Sequence, residues 1–111
     1  MAFEIILAPQ AVEALKKLSV PVRSGVEEAL AVHLTHEPTK VSKSRIKKLR
    51  GLSQPQYRLR VGDIRVFYDV TETQVQVLAV VSKAEAQAWL DEQGSPAATE
   101  TKGSGSRGRQ G

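Results

Sequence analysis

The stretch from Tyr57 to Val70, YRLRVGDIRVFYDV, constrains this chain more than any other segment. Apolar and basic residues alternate on both sides of Gly62-Asp63, a pair suited to a two-residue turn between antiparallel strands. Such a turn sets Val61 opposite Ile64, Arg60 opposite Arg65 and Arg58 opposite Phe67. The period of two then sorts the side chains. Tyr57, Leu59, Val61, Ile64, Val66 and Tyr68 share a face apolar enough to pack on helices, whereas Arg58, Arg60, Arg65, Phe67 and Asp69 share the other. Tyr57 and Tyr68 therefore read as core residues rather than proton donors. Three guanidinium groups converge beside one aromatic ring, and like charges directly across strands cost a few tenths of a kcal/mol up to about 1 kcal/mol. A solvated sheet face would tolerate that arrangement, and a bound polyanion would offset it.

The rest of the sequence supplies the frame. Ala2 to Leu7 alternates as a short first strand, and Val12, Leu15 and Leu18 repeat at helical spacing after Pro9, which suits a first helical turn. A second stripe, Val22, Val26, Ala29, Leu30 and His33 or Leu34, follows Pro21 with almost no linker, so the two helices are expected to form an antiparallel hairpin. Glu37 to Lys48 has no sustained period and reads as a surface loop. Val75 to Val81 is a third strand of the meander, and Ser82 with Glu85 three residues on has capping-box spacing for a short helix ending near Gly94. The expected class is α+β. An N-terminal strand joins a three-strand antiparallel meander in one four-stranded sheet, with the helical hairpin and a short C-terminal helix around it. Residues 1–94 are expected to be one domain and 95–111, almost all small, polar or glycine, a disordered tail without a role of its own.

Composition enters through the distribution of charge. The chain carries a net +4, but residues 40–65 hold nine basic side chains against Asp63 alone, while the segments on either side, 1–39 and 66–94, are acidic. Lys43, Arg45, Lys47, Lys48 and Arg50 thus lead directly into the arginine-bearing strands, and a guanidinium fork suits bidentate phosphate binding. A phosphate backbone is the natural ligand. The sequence has no cysteine, which removes disulfides, thiolate nucleophiles and cysteine metal sites. The N-terminus lacks a basic leader and there is no membrane-length apolar run, so a cytoplasmic location without a membrane partner is expected. No metal-ligand spacing, glycine-rich phosphate loop or nucleophile elbow is present, and neither a metal nor a small-molecule cofactor is expected. His33 and His36 read as helix-end residues, without a catalytic or metal role.

The runs KLRG (48–51), YRLRVGDIRVFYDV (57–70) and VQVLAVVSKAEAQAWL (75–90) resemble the RelE/ParE toxin family. That family's pattern is a lysine-leucine-glycine loop, a basic strand, an arginine-bearing strand ending in tyrosine, and a final valine-rich strand. The resemblance implies a toxin of a type II toxin–antitoxin pair, with a cognate antitoxin as partner. On the RelE branch it implies an endoribonuclease that cuts mRNA on the ribosome. The resemblance then gives Arg58, Arg60, Arg65 and Lys83 the catalytic positions, with Arg65 on the scissile phosphate. Lys43, Arg45, Lys47, Lys48, Arg50 and Phe67 are expected to bind RNA, and Trp89 to stack on a nucleotide. Lys83 stands where the pattern has an arginine and Trp89 where it has a tyrosine, so charge and stacking persist while a bidentate fork and a phenol are lost. Those departures leave two alternatives open: a ParE-like toxin that inhibits DNA gyrase, and a degenerate member that only binds an antitoxin.

Overall fold

A computed structural model describes residues 2–97. The elements run β1 (Glu4–Leu7), α1 (Pro9–Lys17), α2 (Val20–Ala29) continuing into a π-helical turn (Leu30–Leu34), β2 (Ile46–Lys48), β3 (Leu52–Gln54), β4 (Tyr57–Val61), β5 (Ile64–Val70), β6 (Gln74–Ser82), α3 (Lys83–Gln93) and β7 (Ser95–Pro96). The main sheet has the order β1-β6-β5-β4-β2, with β1 parallel to β6 and the remaining pairs antiparallel. The class is the α+β class expected, with one strand more than the four predicted. Residues 46–48 join the edge because Ile46 pairs with Leu59 and is itself buried, a placement that depends on β4 and not on any local period.

The meander has the predicted register. Val61 pairs with Ile64, Arg60 with Arg65 and Arg58 with Phe67, and Gly62 takes a φ of +58° in the turn. On the face toward the helices Leu59, Val66 and Tyr68 have no exposed surface, while Tyr57 and Val61 are half-buried. This face packs against Ala11 and Leu15 of α1, Val26 and Ala29 of α2, and Leu30 and Leu34 of the π-helical turn. The two helices lie mainly on the sheet, α1 over β6 and α2 over β4, so the sheet is their common partner more than they are each other's. Tyr68 stacks on Tyr57 with ring centroids 5.5 Å apart, and its hydroxyl donates to the Pro38 carbonyl at 2.6 Å. Burial, with Tyr57 beside it, pushes the Tyr68 phenol well above its usual pKa.

Where β5 and β6 lose register between Phe67 and Tyr68, Leu78 is the extra residue, and Gln10 Nε2 donates to its carbonyl at 2.7 Å. Ser82 caps α3 as expected, accepting from the Glu85 amide at 3.2 Å, and the helix stops at Gly94. The boundary expected after Gly94 falls inside the described structure. Ser95 and Pro96 pair with Leu52–Gln54, and the Ala97 amide donates to the Gly51 carbonyl at 3.0 Å. Gly94 is closed in by the end of α3, where a Cβ would meet the Leu90 carbonyl at 2.6 Å, and by Leu52 of the strap, whose Cδ2 would lie 3.3 Å away. The rest of the predicted tail, 98–111, lies outside the described residues.

Candidate nucleic-acid interface

The sheet face turned away from α1 and α2 is polar, yet much of it is not solvated. Lys47 of β2 pairs with Arg58 of β4, which pairs with Phe67 of β5; one step along, Arg60 pairs with Arg65. Since paired residues point the same way, Lys47, Arg58, Arg60, Arg65 and Phe67 form one patch. α3 covers part of it. Trp89 stacks on Phe67 with centroids 5.1 Å apart and planes 5° from parallel, leaving Phe67 with no exposed surface. Both rings were expected to be available to nucleotides. In the structure Phe67 is closed by protein, and Trp89, half-buried, has one face committed to Phe67.

The three arginines of this patch are in different states. Arg60 is exposed. Arg65 is 7% exposed, and its Nη1 donates to the carbonyls of Gly62 and Ile64 at 2.8 and 3.1 Å, so its charge is fixed against the hairpin turn. Arg58 is half-buried with its Nε fully enclosed, and this N–H has no acceptor among the described residues. Leaving a buried donor of a charged group unpaired costs at least about 1–3 kcal/mol. Burial, followed by the charges of Arg65 and Arg60, lowers the Arg58 pKa below the ordinary guanidinium value.

Among the described residues no carboxylate relieves the cluster. The ion pairs among the described residues are Lys16–Glu13 and Lys40–Glu37, both exposed and both away from the sheet arginines. Asp69 lies on the same face and is buried, but it accepts from Gln54 Nε2 at 2.6 Å and from the Gln56 amide at 2.8 Å. Gln56 Oε1 in turn accepts from the Val70 amide, so this network fastens the segment before β4 to β5. Nothing in the sequence pattern singled out Gln54 and Gln56, because their partner belongs to another strand.

The other predicted residues are spread around this centre. Lys83 opens α3 two residues beyond Val81, the partner of Arg65, and its amide donates to the Asp63 carbonyl, which holds the helix start against the hairpin tip. Arg45 lies beside Arg60, whose amide donates to its carbonyl, and its charge, after burial, contributes to lowering the His33 pKa. Lys43 and Arg50 are exposed in the flanking loops. Lys48 points to the other side, its Nζ 5.0 Å from the centroid of Tyr57. His33 and His36 line a depression with Lys40, Arg45 and Glu37 at the end of the π-helical turn. No group of His, Asp and Glu side chains among the described residues is arranged to hold a metal ion.

Comparison with known proteins bears on what such a face does. Residues 5–87 match the family model described as ParE toxin of type II toxin–antitoxin system, parDE. Among solved structures, the toxin–antitoxin assembly RelE–RelB of the archaeon Pyrococcus horikoshii is similar at 28% identity and a TM-score of 0.62, covering 75% of this chain and 97% of that one. Escherichia coli RelE, as an arginine-substituted mutant in the free state, has 25% identity and a TM-score of 0.62, covering 83% and 94%. The RelBE2 complex of Mycobacterium tuberculosis has 25% identity and a TM-score of 0.56, covering 74% and 99%. A search of curated protein sequences finds no match.

Proposed function

Because the chain belongs to the ParE toxin family of type II toxin–antitoxin systems, we propose that it is an RNA-cleaving toxin whose arginine face holds the phosphodiester of mRNA on the ribosome. The observation that carries this reading is the enclosed Arg58 Nε, an N–H that among the described residues has no acceptor and no carboxylate in attendance, amid positive charge. A phosphate oxygen at the guanidinium satisfies the charge, and the donor as well once binding opens the enclosure around it.

In this reading the 2′-oxygen attacks phosphorus, the P–O2′ bond forms and the P–O5′ bond breaks to leave a 2′,3′-cyclic phosphate, while the 2′-hydroxyl proton passes to water and a guanidinium proton, later replaced from water, reaches the 5′-oxygen. Arg58 and Arg60 position the phosphate. Arg65, fixed by the turn carbonyls, and Lys83 at the start of α3 add stabilisation as negative charge builds on the phosphorane. Arg58 and Arg60, placed against the phosphate in this reading, are also the groups that take part in proton transfer. The carboxylate that shares this face, Asp69, is occupied by Gln54 and Gln56. The reading therefore assigns most of the acceleration to positioning and charge stabilisation, where one preorganised donor is worth roughly 100- to 1,000-fold.

The partner in this reading is a cognate antitoxin, as in the RelE–RelB and RelBE2 complexes. An acidic or amphipathic antitoxin segment over the same arginines would compete with RNA. The site of action is the cytoplasm, where ribosomes are; no helix among the described residues is long and apolar enough to cross a membrane. A second reading, gyrase inhibition, draws on the ParE family model and on Arg65, whose Nη1 is already engaged by the turn. Induction without antitoxin, followed by mapping of mRNA ends and of gyrase-linked DNA breaks, separates the two. Truncated mRNA on ribosomes supports RNA cleavage, DNA breaks support the second reading, and growth without arrest overturns both in favour of a chain that only binds its antitoxin.

A further inference from the structure

Arg58 carries an enclosed charge, and a carboxylate lies within its reach. Its cross-strand partner is Phe67, and Asp69 follows Phe67 by two positions on the same face of β5, which makes Asp69 a diagonal neighbour of Arg58 across the β4–β5 pair. Diagonal neighbours stand roughly 7–8 Å apart, close enough for a side chain as long as arginine's to bridge. Both groups are shielded from water: Asp69 is 8% exposed and Arg58 is half-buried. Buried opposite charges within reach ordinarily pair, because each otherwise bears its own desolvation cost. Here they do not, and no ion pair joins them among the described residues.

Two neutral donors occupy the carboxylate instead. The Gln56 amide donates to Asp69 Oδ1 at 2.8 Å and Gln54 Nε2 donates to Oδ2 at 2.6 Å, so each oxygen has a partner. The two donors differ in kind. The Gln56 N–H belongs to the backbone, and any residue except proline would supply it there. Gln54 supplies a side chain, from an exposed position in β3, outside the main sheet. The strap at the end of α3 holds that strand in place: Gln54 pairs with Ser95, and Ser53 Oγ donates to the carbonyls of Ser95 and Pro96 at 3.4 and 3.2 Å. A neutral amide so placed satisfies the carboxylate without adding another cation to the arginine face.

We infer that Gln54 is a positioning residue of the arginine site: by holding Asp69 it keeps the buried carboxylate of this face away from Arg58 and leaves that guanidinium unpaired for a phosphate. The inference rests on the reading of the arginine face as an RNA site, and its test separates the two. Without Gln54, Asp69 Oδ2 turns to Arg58, and RNA has to compete with an internal carboxylate for the same charge.

The full chain is compared as the parent, Gln54→Leu, Asp69→Asn and the double variant. Two quantities are measured: the affinity for a short single-stranded RNA and, without RNA, the nitrogen-15 NMR resonance of Arg58 Nε–Hε. Gln54→Leu is expected to bind RNA at least about tenfold more weakly, the worth of one hydrogen bond to a charged group, and to shift the Arg58 resonance. Asp69→Asn should bind at least as tightly as the parent. The double variant should match Asp69→Asn in both measurements, because with the carboxylate gone there is nothing left for Gln54 to hold back. A side chain that only fastened the segment before β4 would lose affinity equally with and without the carboxylate. That additive result, or an Arg58 resonance unmoved by Gln54→Leu, overturns the inference while the arginine site stands. If the parent binds no RNA, the RNA reading itself fails and takes the role of Gln54 with it. The resonance comparison needs only the parent and Gln54→Leu, a change at an exposed position, so it decides the matter even if the double variant does not fold.

Discussion

Both faces of the same meander bury polar side chains, and they treat them differently. Toward the helices, Tyr68 is fully enclosed and its hydroxyl has an acceptor 2.6 Å away in Pro38. Toward α3, Arg58 encloses an N–H with no acceptor among the described residues and crowds it with two further guanidinium groups. Cores are satisfied because an unmet polar group there lowers stability without return. On the Arg58 side one N–H is left unmet among the described residues, and the proposed function gives it a phosphate as partner. The contrast between Tyr68 and Arg58 separates a side whose buried polar groups are met within the fold from a side that, in the proposed reading, receives a ligand.

Substitutions can break that division. Tyr68→Ala should cost about 3–5 kcal/mol of unfolding free energy, as for other large aromatic truncations, measured by denaturant titration; a loss near zero would mean the helix-side face is not the stabilising one. Arg58→Met should do the opposite, lowering RNA cleavage at least about 100-fold, or about 2.7 kcal/mol, while leaving the unfolding midpoint unchanged or higher because an unpaired buried charge is gone. Arg65→Ala should fall between them. It removes two charge-assisted bonds to the turn, so a stability loss of about 1.5–3 kcal/mol should accompany the loss of cleavage, and full retention of both would contradict the role given to it. Trp89→Leu should cost roughly 0.5–1.5 kcal/mol beyond its area, the worth of an aromatic pair, and open Phe67 to quenchers of a neighbouring probe.

The smallest effect concerns His33. Burial and then Arg45 lower its pKa, so the folded chain binds this proton less readily than the unfolded chain does. Its contribution is therefore neutral above the ordinary histidine range and turns destabilising as pH falls through that range toward the folded value. Arg45→Gln should move the His33 titration upward in proton NMR; no movement would mean that burial alone sets it.

The sequence carried the meander unusually well because two independent signals agreed there, the Gly62-Asp63 turn and the alternation on each side of it. Register, facing and strand limits of 57–61 and 64–70 follow from those alone. Short pairings were not legible. Residues 46–48 are a strand because Leu59 offers Ile46 a buried neighbour, and residues 95–96 pair with 52–54 because Gly94 brings them there; neither has enough residues for a period. The convergence of Arg58, Arg60 and Arg65 was readable, whereas their inequality was not. Arg65 is buried by the turn it bonds and Phe67 by Trp89, and both depend on where α3 comes to rest. A large aromatic on the basic face, with a tryptophan in the following helix, was the available signal that this face is partly covered.

The central claim is that a phosphate oxygen becomes the missing acceptor of Arg58. The most direct measurement is the Nε–Hε resonance of Arg58 in nitrogen-15 NMR, assigned through Arg58→Lys, as a short RNA is titrated into the toxin. The account predicts a downfield shift at this resonance that saturates with binding. RNA binding that leaves the Arg58 Nε–Hε resonance unmoved would contradict it.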